Sequence, residues 1–349
     1  MPVSIDDIKD KGKEIIKEIN RAIIGYDEEI KLLIASLLAN GHVLLEGVPG
    51  IAKTTLARAL VRVLGLEEAR EYRVEGIPYR GFSRIQFTPD LMPGDIIGSL
   101  IFNPKTRDFE PRLGPIFAYI VLADEINRAT PRTQSALLQA MQEREVTIGH
   151  TTYPLAIPSL GKFFFVIATQ NPVEQEGTYP LPEAQLDRFM MKILMGYPKS
   201  IEDEINIYKL HAYRLREPVE DLEKIVDPVW VIEAQETIAR EVKISGITID
   251  YIARIIRATR PEIFEPIKRY FNLGASPRAG IMLVKASKAL AALRGSDQVE
   301  DIDIENALFP VLNHRVIPSL DLVVEYGGDF HARLRVIEEG LKYAKESVT

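Results

Sequence analysis

The sequence predicts an α/β domain, with a parallel sheet flanked by helices, followed by a smaller all-α lid domain. Three short apolar runs, at residues 42–46, 116–123 and 163–168, have the length and side-chain content of buried parallel strands. The first run continues through a Gly- and Pro-containing loop into a helix at about residues 54–64, which is the opening unit of such a sheet. From residue 201 onward the apolar residues recur only at helical spacing.

This change of pattern predicts two domains, residues 1–198 and residues 199–349. The first should begin with amphipathic helices at 3–20 and 27–40, and it contains two additions to a simple sheet. Residues 74–115 are rich in Pro and Gly and too long for a plain connection, so they are interpreted as an insert, and residues 145–158 alternate as a β-hairpin does. The second domain should contain helices at roughly 201–216, 228–241, 248–259, 278–293 and 301–313. The last thirty residues give no clear pattern.

The composition excludes several classes of function. Of 349 residues, 46% are hydrophobic and 27% charged, which is typical of a folded protein with sizeable cores. A net charge of −7 provides no global basic field for a phosphate backbone, which disfavours nucleic acid as a partner. The absence of cysteine excludes disulfides, thiolate zinc sites and cysteine nucleophiles. No apolar run approaches the roughly 18 residues of a membrane span, and a cytoplasmic location is expected.

A candidate phosphate-binding loop lies between the first strand and its helix. It consists of Gly47, Val48, Pro49, Gly50, Ile51, Ala52, Lys53 and Thr54, with Thr55 next. In this setting backbone N–H groups and the helix N-terminus attract phosphate oxygens, Lys53 reaches the β and γ phosphates, and Thr54 offers a hydroxyl to Mg²⁺. Ala52 replaces the Gly that usually precedes the lysine, and its methyl is expected to fit a helical start. The alternative is a Gly-rich turn with an exposed lysine.

Two carboxylates, Asp124 and Glu125, follow the second apolar run. A buried strand end would not hold them without a cation or hydrogen-bonding partners. Asp124 suits Mg²⁺ binding, directly or through water, and Glu125 suits polarisation of an attacking water. Alone, the pair could instead cap a helix that begins near Pro131.

The third apolar run ends in Asn171, whose amide could hold a γ-phosphate and a lytic water. An Asn-Pro turn is the alternative, since Pro172 follows.

The order of these motifs resembles that of AAA+ ATPases: a phosphate loop, an Asp-Glu strand, an Asn at the next strand end, then LDRF at 186–189 and SPR at 276–278. Three strings resemble the MoxR family in particular: DEINRA at 124–129, ATQNP at 168–172 and EGTYPLPEAQLDRF at 176–189. The resemblance covers about residues 20–315 and implies ATP and Mg²⁺ as cofactors.

The resemblance also implies roles for individual residues. Asn171 corresponds to sensor 1, Arg188 to an arginine finger that acts on a neighbouring subunit, and Arg278 to sensor 2, which contacts nucleotide in its own subunit. Arg128 and Arg132 are rival candidates for the intersubunit arginine, and Arg188 could instead pair with Asp187. A further set, Ile23, Ile24, Gly25 and Tyr26, resembles the segment that covers the adenine, although core packing would explain the two isoleucines equally well.

The favoured function is a chaperone-like ATP-driven motor that works as a ring, expected to be a hexamer. The resemblance suggests client proteins with von Willebrand factor A domains, and metal or cofactor insertion or complex maturation as the task. The insert and the hairpin resemble the helix-2 insert and the pre-sensor-1 hairpin of one AAA+ branch. Three alternatives stay open: a nucleic-acid motor or loader, a Mg-chelatase-like motor subunit, and a scaffold that binds ATP without turnover. The insert carries as many acidic as basic residues, so it forms no basic stripe.

Overall fold

The computed structural model describes residues 3–48, 50–67, 70–172 and 177–348. Two helices come first, α1 (Ile5–Ile19) and α2 (Asp27–Leu38). α1 begins where the Ser4 side chain accepts a hydrogen bond from the Asp7 N–H, and its apolar side packs against helices of the C-terminal part of the chain. Both helices lie within the ranges that the sequence predicts.

A six-stranded sheet forms the centre of the α/β part, in the order β10-β1-β9-β6-β3-β2. Its strands are β1 (Val43–Glu46), β2 (Glu71–Val74), β3 (Ile77–Gln86), β6 (Ala118–Asp124), β9 (Phe165–Gln170) and β10 (Met191–Leu194). All neighbours pair in parallel except β2, which is antiparallel to β3 at the edge. Every residue of β1 and β6 is buried, as expected of strands covered on both faces. The carboxyl ends of β1, β9, β6 and β3 therefore meet at one edge of the sheet.

Helices and two small hairpins surround this sheet. The helices are α3 (Lys53–Val63), α4 (Pro93–Ile97), α5 (Pro131–Glu143) and α6 (Glu183–Leu186). The hairpins are β4 (Gly98–Asn103) with β5 (Asp108–Leu113), and β7 (Glu145–Ile148) with β8 (Thr151–Pro154). The second hairpin lies within the predicted range 145–158.

The predicted insert at 74–115 begins too early. β3 lies inside the main sheet, paired with β6 from Arg80↔Ala118 to Gln86↔Asp124. Pro78 and Gly81 interrupt its apolar pattern, which is why the sequence does not read as a buried strand. Only the residues after β3, with α4 and the β4–β5 hairpin, leave the sheet.

The C-terminal part is almost wholly helical. Its helices are α7 (Ile201–Ala212), α8 (Pro228–Glu241), α9 (Gly246–Ala258), α10 (Pro277–Arg294), α11 (Asp301–Leu312), α12 (Leu320–Glu325) and α13 (Phe330–Glu346). A short pair, β11 (Phe271–Leu273) and β12 (Ile317–Pro318), lies among them. The first five helices match the predicted ones, whereas α12 and α13 fall where the sequence shows no clear pattern.

One continuous cluster of buried side chains extends through the sheet and the helical part, and α1 and α2 pack against α8 and α10. The division into residues 1–198 and 199–349 stays a prediction. Among the described helices, none has the length and apolarity that crossing a bilayer requires.

Candidate functional site

The loop after β1 has the backbone of a phosphate cradle. A Cβ on Gly47 would lie 2.2 Å from the Met195 carbonyl oxygen, so only glycine fits there. Gly50 has a φ of +82°. A Cβ added to it would have no atom of the described residues within 4 Å, its chain neighbours excepted, so there is open space beside its backbone. α3 begins at Lys53, and the N–H groups of a helix's first turn have no carbonyl partner within the helix, so a helix N-terminus of this kind can bind an anion. The predicted contact Pro49 lies outside the described residues, and Val48 borders the loop without lining the cavity described below.

Ala52 immediately precedes α3 and has φ 61° and ψ 16°, in the left-handed region. The expectation that its methyl fits a helical start is therefore wrong. Left-handed backbone crowds any Cβ, which is why glycine is preferred at such a position.

The Lys53 ammonium lies at the mouth of the loop. It donates a hydrogen bond to the Gly47 carbonyl oxygen and lies 3.4 Å from that of Gln170, at the end of β9. Thr54 and Thr55 follow in the first turn of α3, and both are half-buried. The lysine is thus held beside the helix N-terminus rather than extended into solvent.

Asp124, the last residue of β6, is buried and held by partners from two neighbouring strands. Its Oδ1 accepts a hydrogen bond from the Thr169 hydroxyl at 2.7 Å, and its Oδ2 lies 2.6 Å from Nη2 of Arg84. The Thr169 hydroxyl also accepts from the Glu125 N–H at 2.9 Å. These contacts fix the carboxylate at the sheet edge and offset its burial.

Glu125 has φ 55° and ψ 50°, a left-handed conformation that turns the chain sharply out of β6. Its Oε2 accepts a hydrogen bond from the Gln86 amide at 2.8 Å and lies 3.1 Å from Nε of Arg128. Asp124 and Glu125 do not cap α5, because that helix begins at Pro131 with Thr130 at its N-cap position.

A cavity of about 610 Å³ lies above these residues, within the usual size range of small-molecule sites. The loop and the strand ends line one side of it: Gly50, Ile51, Ala52, Lys53, Thr54, Thr55, Asp124, Glu125, Thr169 and Asn171. The structure thus brings together the predicted residues of three separate motifs.

The other side of the cavity is largely apolar. Ala22, Ile23, Ile24 and Tyr26 contribute from the turn between α1 and α2, and Ile207, Tyr208, Leu210 and His211 contribute from α7. Tyr26 is buried, its hydroxyl donates to the Gly196 carbonyl oxygen at 2.8 Å, and burial raises its pKa. Gly25 does not line the cavity, but its φ of +87° makes the turn that carries Ile24. An adenine ring fits an apolar wall of this kind.

The predicted sensor and finger arginines lie outside this cavity. Arg188 and Arg278 are absent from its lining. Nη1 of Arg278 is 3.9 Å from Asp187, and Nε of Arg315 is 2.7 Å from the same carboxylate. Asp187 thus pairs with these two arginines rather than with Arg188.

The two rival arginines differ in position. Arg128 contacts Glu125 of its own subunit, whereas Arg132 is exposed at the start of α5.

The residues present fit a Mg²⁺ ion held jointly with phosphates. Thr54 and Asp124 both line the cavity and offer the oxygen ligands that Mg²⁺ prefers. Mg²⁺ is commonly held by one or two carboxylates plus substrate phosphates, so a larger set of protein ligands is not required.

Three residues that contact the acidic pair are not predicted from the sequence. Arg84 and Gln86 reach Asp124 and Glu125 from β3, and Thr169 joins both acidic residues. Thr169 could have been found from the sequence, because it lies two residues before Asn171, near the end of the strand that Asn171 follows. Arg84 and Gln86 require knowing that β3 is a sheet strand beside β6.

The fold and the site together define an AAA+ ATPase domain with a helical lid. Residues 42–191 match the ATPase family associated with various cellular activities (AAA), and residues 266–324 match the AAA lid domain. The chain belongs to the MoxR family of these ATPases, which confirms the predicted family and fold class.

Its similarity to known proteins extends over most of the chain. It is 42% identical to Chaperone MoxR1 of Mycobacterium tuberculosis over 313 residues, which are 89% of this chain and 76% of that protein. It is 44% identical to YeaC of Bacillus subtilis, an uncharacterized protein, over 304 residues, 86% of this chain and 85% of the relative. A crystal structure of a protein assigned as an ATPase, from Cytophaga hutchinsonii, has a TM-score of 0.80 and 39% identity and covers 96% of each chain.

Proposed function

We propose that this protein binds ATP with Mg²⁺, hydrolyses it, and uses the cycle to remodel client proteins. It works as a ring of six subunits, and its location is the cytoplasm. The observation that carries the proposal is the cavity in which the phosphate loop, the acidic pair and Asn171 meet. A scaffold that only binds nucleotide would require neither Glu125 nor Asn171.

Each residue has a distinct task at this site. The loop N–H groups and Lys53 bind the phosphates, while Thr54 and Asp124 hold Mg²⁺, which supplies positive charge beside the phosphate oxygens. Glu125 orients and polarises the attacking water once Gln86 and Arg128 release its carboxylate. Asn171 holds the γ-phosphate and the water from the end of β9.

Assembly completes the site. Arg188 lies outside the cavity of its own subunit, which supports a role on the nucleotide of a neighbour. Arg278 acts in its own subunit and must leave Asp187 to reach the phosphates. The lid domain that carries it is taken as residues 199–349, and the core as residues 1–198.

The client is proposed to contact the β4–β5 hairpin, and proteins with von Willebrand factor A domains are the expected clients. Phe102 and Phe109 are 49% and 60% exposed and contact each other edge to face at 5.5 Å. A relative named as a chaperone supports remodelling. Metal or cofactor insertion, or complex maturation, is the task that we propose for this protein. Nucleotide-driven movement of subunits between two states is how ATP energy reaches such a client.

The test is the ATPase rate per subunit against protein concentration, for the wild type, Glu125→Gln and Arg188→Ala. The wild-type rate should rise with assembly. Arg188→Ala should be slower by at least a hundredfold, because an intersubunit arginine contributes about 10³–10⁵. Glu125→Gln should be slower by a similar factor, because an amide cannot polarise the attacking water as a carboxylate does, a contribution of about 10²–10⁴. Arg132→Ala distinguishes between the candidates Arg132 and Arg188: it should retain the wild-type rate, and a loss in Arg132→Ala with none in Arg188→Ala would assign the intersubunit role to Arg132. A rate that is independent of concentration and survives Arg188→Ala would contradict the ring mechanism.

A further inference from the structure

A buried polar turn follows α11. Asn313, His314 and Arg315 are 1%, 5% and 8% exposed, although they lie directly after the helix end at Leu312. Charged side chains are almost never buried unless they are paired, so the partners of this turn indicate what it does.

Arg315 has an acceptor for each of its five N–H donors. Nε donates to Asp187 Oδ1 at 2.7 Å, Nη1 to the carbonyl oxygens of Met190 at 3.1 Å and Val311, and Nη2 to those of Asp187 at 3.1 Å and Phe189. Four of these five bonds go to residues 187–190. A planar guanidinium with all donors used fixes the backbone it contacts, because each acceptor lies in a set direction.

The other two side chains extend the same contact. The Asn313 amide donates to the Lys192 carbonyl oxygen at 2.9 Å, and Nε2 of His314 lies 3.2 Å from the Phe189 carbonyl oxygen. Burial, with Arg315 and Lys192 nearby, lowers the pKa of His314, so the ring is neutral and can donate from Nε2 to this carbonyl. The turn is therefore attached along the whole segment 187–192, between α6 and β10.

Arg188 lies in the middle of that segment. It is half-buried, and within the described part of the chain its side chain forms no ion pair. The residues on either side of it, Asp187 and Phe189, are both bonded to Arg315. The direction in which Arg188 leaves the surface is therefore set by a residue 127 positions later in the sequence.

We propose that Arg315 is a positioning residue for Arg188: it clamps residues 187–190 to the lid so that Arg188 points toward the nucleotide of the adjacent subunit. This rests on the proposed function, in which Arg188 acts in trans. Lysine cannot replace Arg315, because it has three donors for five acceptors and would leave buried carbonyl groups unpaired. A displacement of about 1 Å at a catalytic group is enough to reduce a rate about a hundredfold.

The experiment compares Arg315→Lys with Arg294→Lys. Arg294 also pairs with a buried carboxylate of the lid, Asp303, through Nε and Nη2 at 3.1 and 2.9 Å, but it does not contact residues 187–192. At assembling concentration, Arg315→Lys should lower the ATPase rate at least tenfold, with Arg294→Lys near the wild type.

Mixed rings separate positioning from a general loss of structure. Glu125→Gln subunits cannot hydrolyse ATP but present an intact Arg188. Adding them in excess should restore the rate per Arg315→Lys subunit, as it should for Arg188→Ala, because the intact neighbour supplies the arginine. A wild-type rate in Arg315→Lys, or a loss that Glu125→Gln subunits do not rescue, would overturn the proposal.

The rescue of Arg188→Ala and that of Arg315→Lys together distinguish the trans role of Arg188 from the positioning role of Arg315. If Arg188→Ala itself is not rescued, the trans role of Arg188 fails and the positioning role fails with it. If only Arg315→Lys is not rescued, the positioning role alone fails.

A second variant is used if Arg315→Lys melts below the assay temperature. His314→Ala, which removes one contact to Phe189, then takes its place. It should show a smaller loss with the same rescue, and full activity would count against the clamp.

Discussion

Two residues of the candidate site other than glycine have left-handed backbone, Ala52 at φ 61° and Glu125 at φ 55°. This conformation costs roughly 1–2 kcal/mol for a residue with a Cβ. Glu125 lines the cavity, so this strain lies at the candidate site, where strained backbone is often found. At Ala52, which immediately precedes α3, a glycine would adopt the same conformation without this cost.

Ala52→Gly should therefore raise the free energy of unfolding by about 0.5–1 kcal/mol. The relief of left-handed strain exceeds the roughly 0.4–1 kcal/mol that glycine loses by making the unfolded chain more flexible. Urea unfolding measures the change. Ala253→Gly is the control, because Ala253 is exposed inside α9 and the same substitution there should destabilise by about 1 kcal/mol. Equal losses in both variants would show that Ala52 is unstrained.

At the scale of elements, a single buried histidine joins three parts of the α/β layer. Nδ1 of His42, just before β1, accepts from the Val166 N–H of β9 at 3.1 Å, and Nε2 lies 3.1 Å from the Met141 carbonyl oxygen of α5. The ring also meets Phe164 edge to face at 5.6 Å. Since Nδ1 is an acceptor here, the neutral tautomer with its proton on Nε2 satisfies both contacts. Burial lowers the pKa of His42 to about 3.

This pKa predicts how stability depends on pH. Between pH 6.5 and 3 the unfolded chain binds a proton at this position and the folded chain does not, so the free energy of unfolding should fall as the pH falls through that window. Each such histidine contributes up to about 1.4 kcal/mol per pH unit. Urea unfolding at pH 7, 6 and 5 should give a shallower slope for His42→Gln than for the wild type. Equal slopes would mean that His42 binds protons equally in the folded and the unfolded chain, which would contradict the lowered pKa.

The elements that the sequence predicts correctly are those whose pattern lies in consecutive residues. Strand, loop and helix around Lys53 follow from consecutive residues, and so do the α8 bounds, where Asp227 caps a helix that starts with Pro228. The sequence does not predict β3, because Pro78 and Gly81 interrupt its apolar pattern. Its place inside the sheet follows only from its pairing with β6. Arg315 could not be predicted, because its partners are mostly carbonyl oxygens that become its neighbours only on folding.

At the scale of the whole molecule, the cavity is bounded by parts of very different packing. The strand ends belong to the continuous core, whereas no residue of α7 is buried. Ile201, Ile205 and Tyr208 of α7 are 70%, 41% and 63% exposed. A helix with so little buried apolar surface opens at low free energy, so a ligand that bridges α7 and the phosphate loop should stabilise it strongly.

Hydrogen exchange of Glu125→Gln, with and without Mg²⁺ and ATP, should therefore slow most in α7. Binding at a hundred times Kd contributes about 2.7 kcal/mol, so protection of up to about a hundredfold is expected where opening breaks contact with the nucleotide. α9 lines no part of the cavity and is the internal control, with little change. Protection restricted to the loop at residues 50–55 would mean that the nucleotide contacts only the α/β layer. Protection of α7 as well would identify it as the lid element that senses nucleotide, since only α7 among the helices after residue 200 lines the cavity within the described chain.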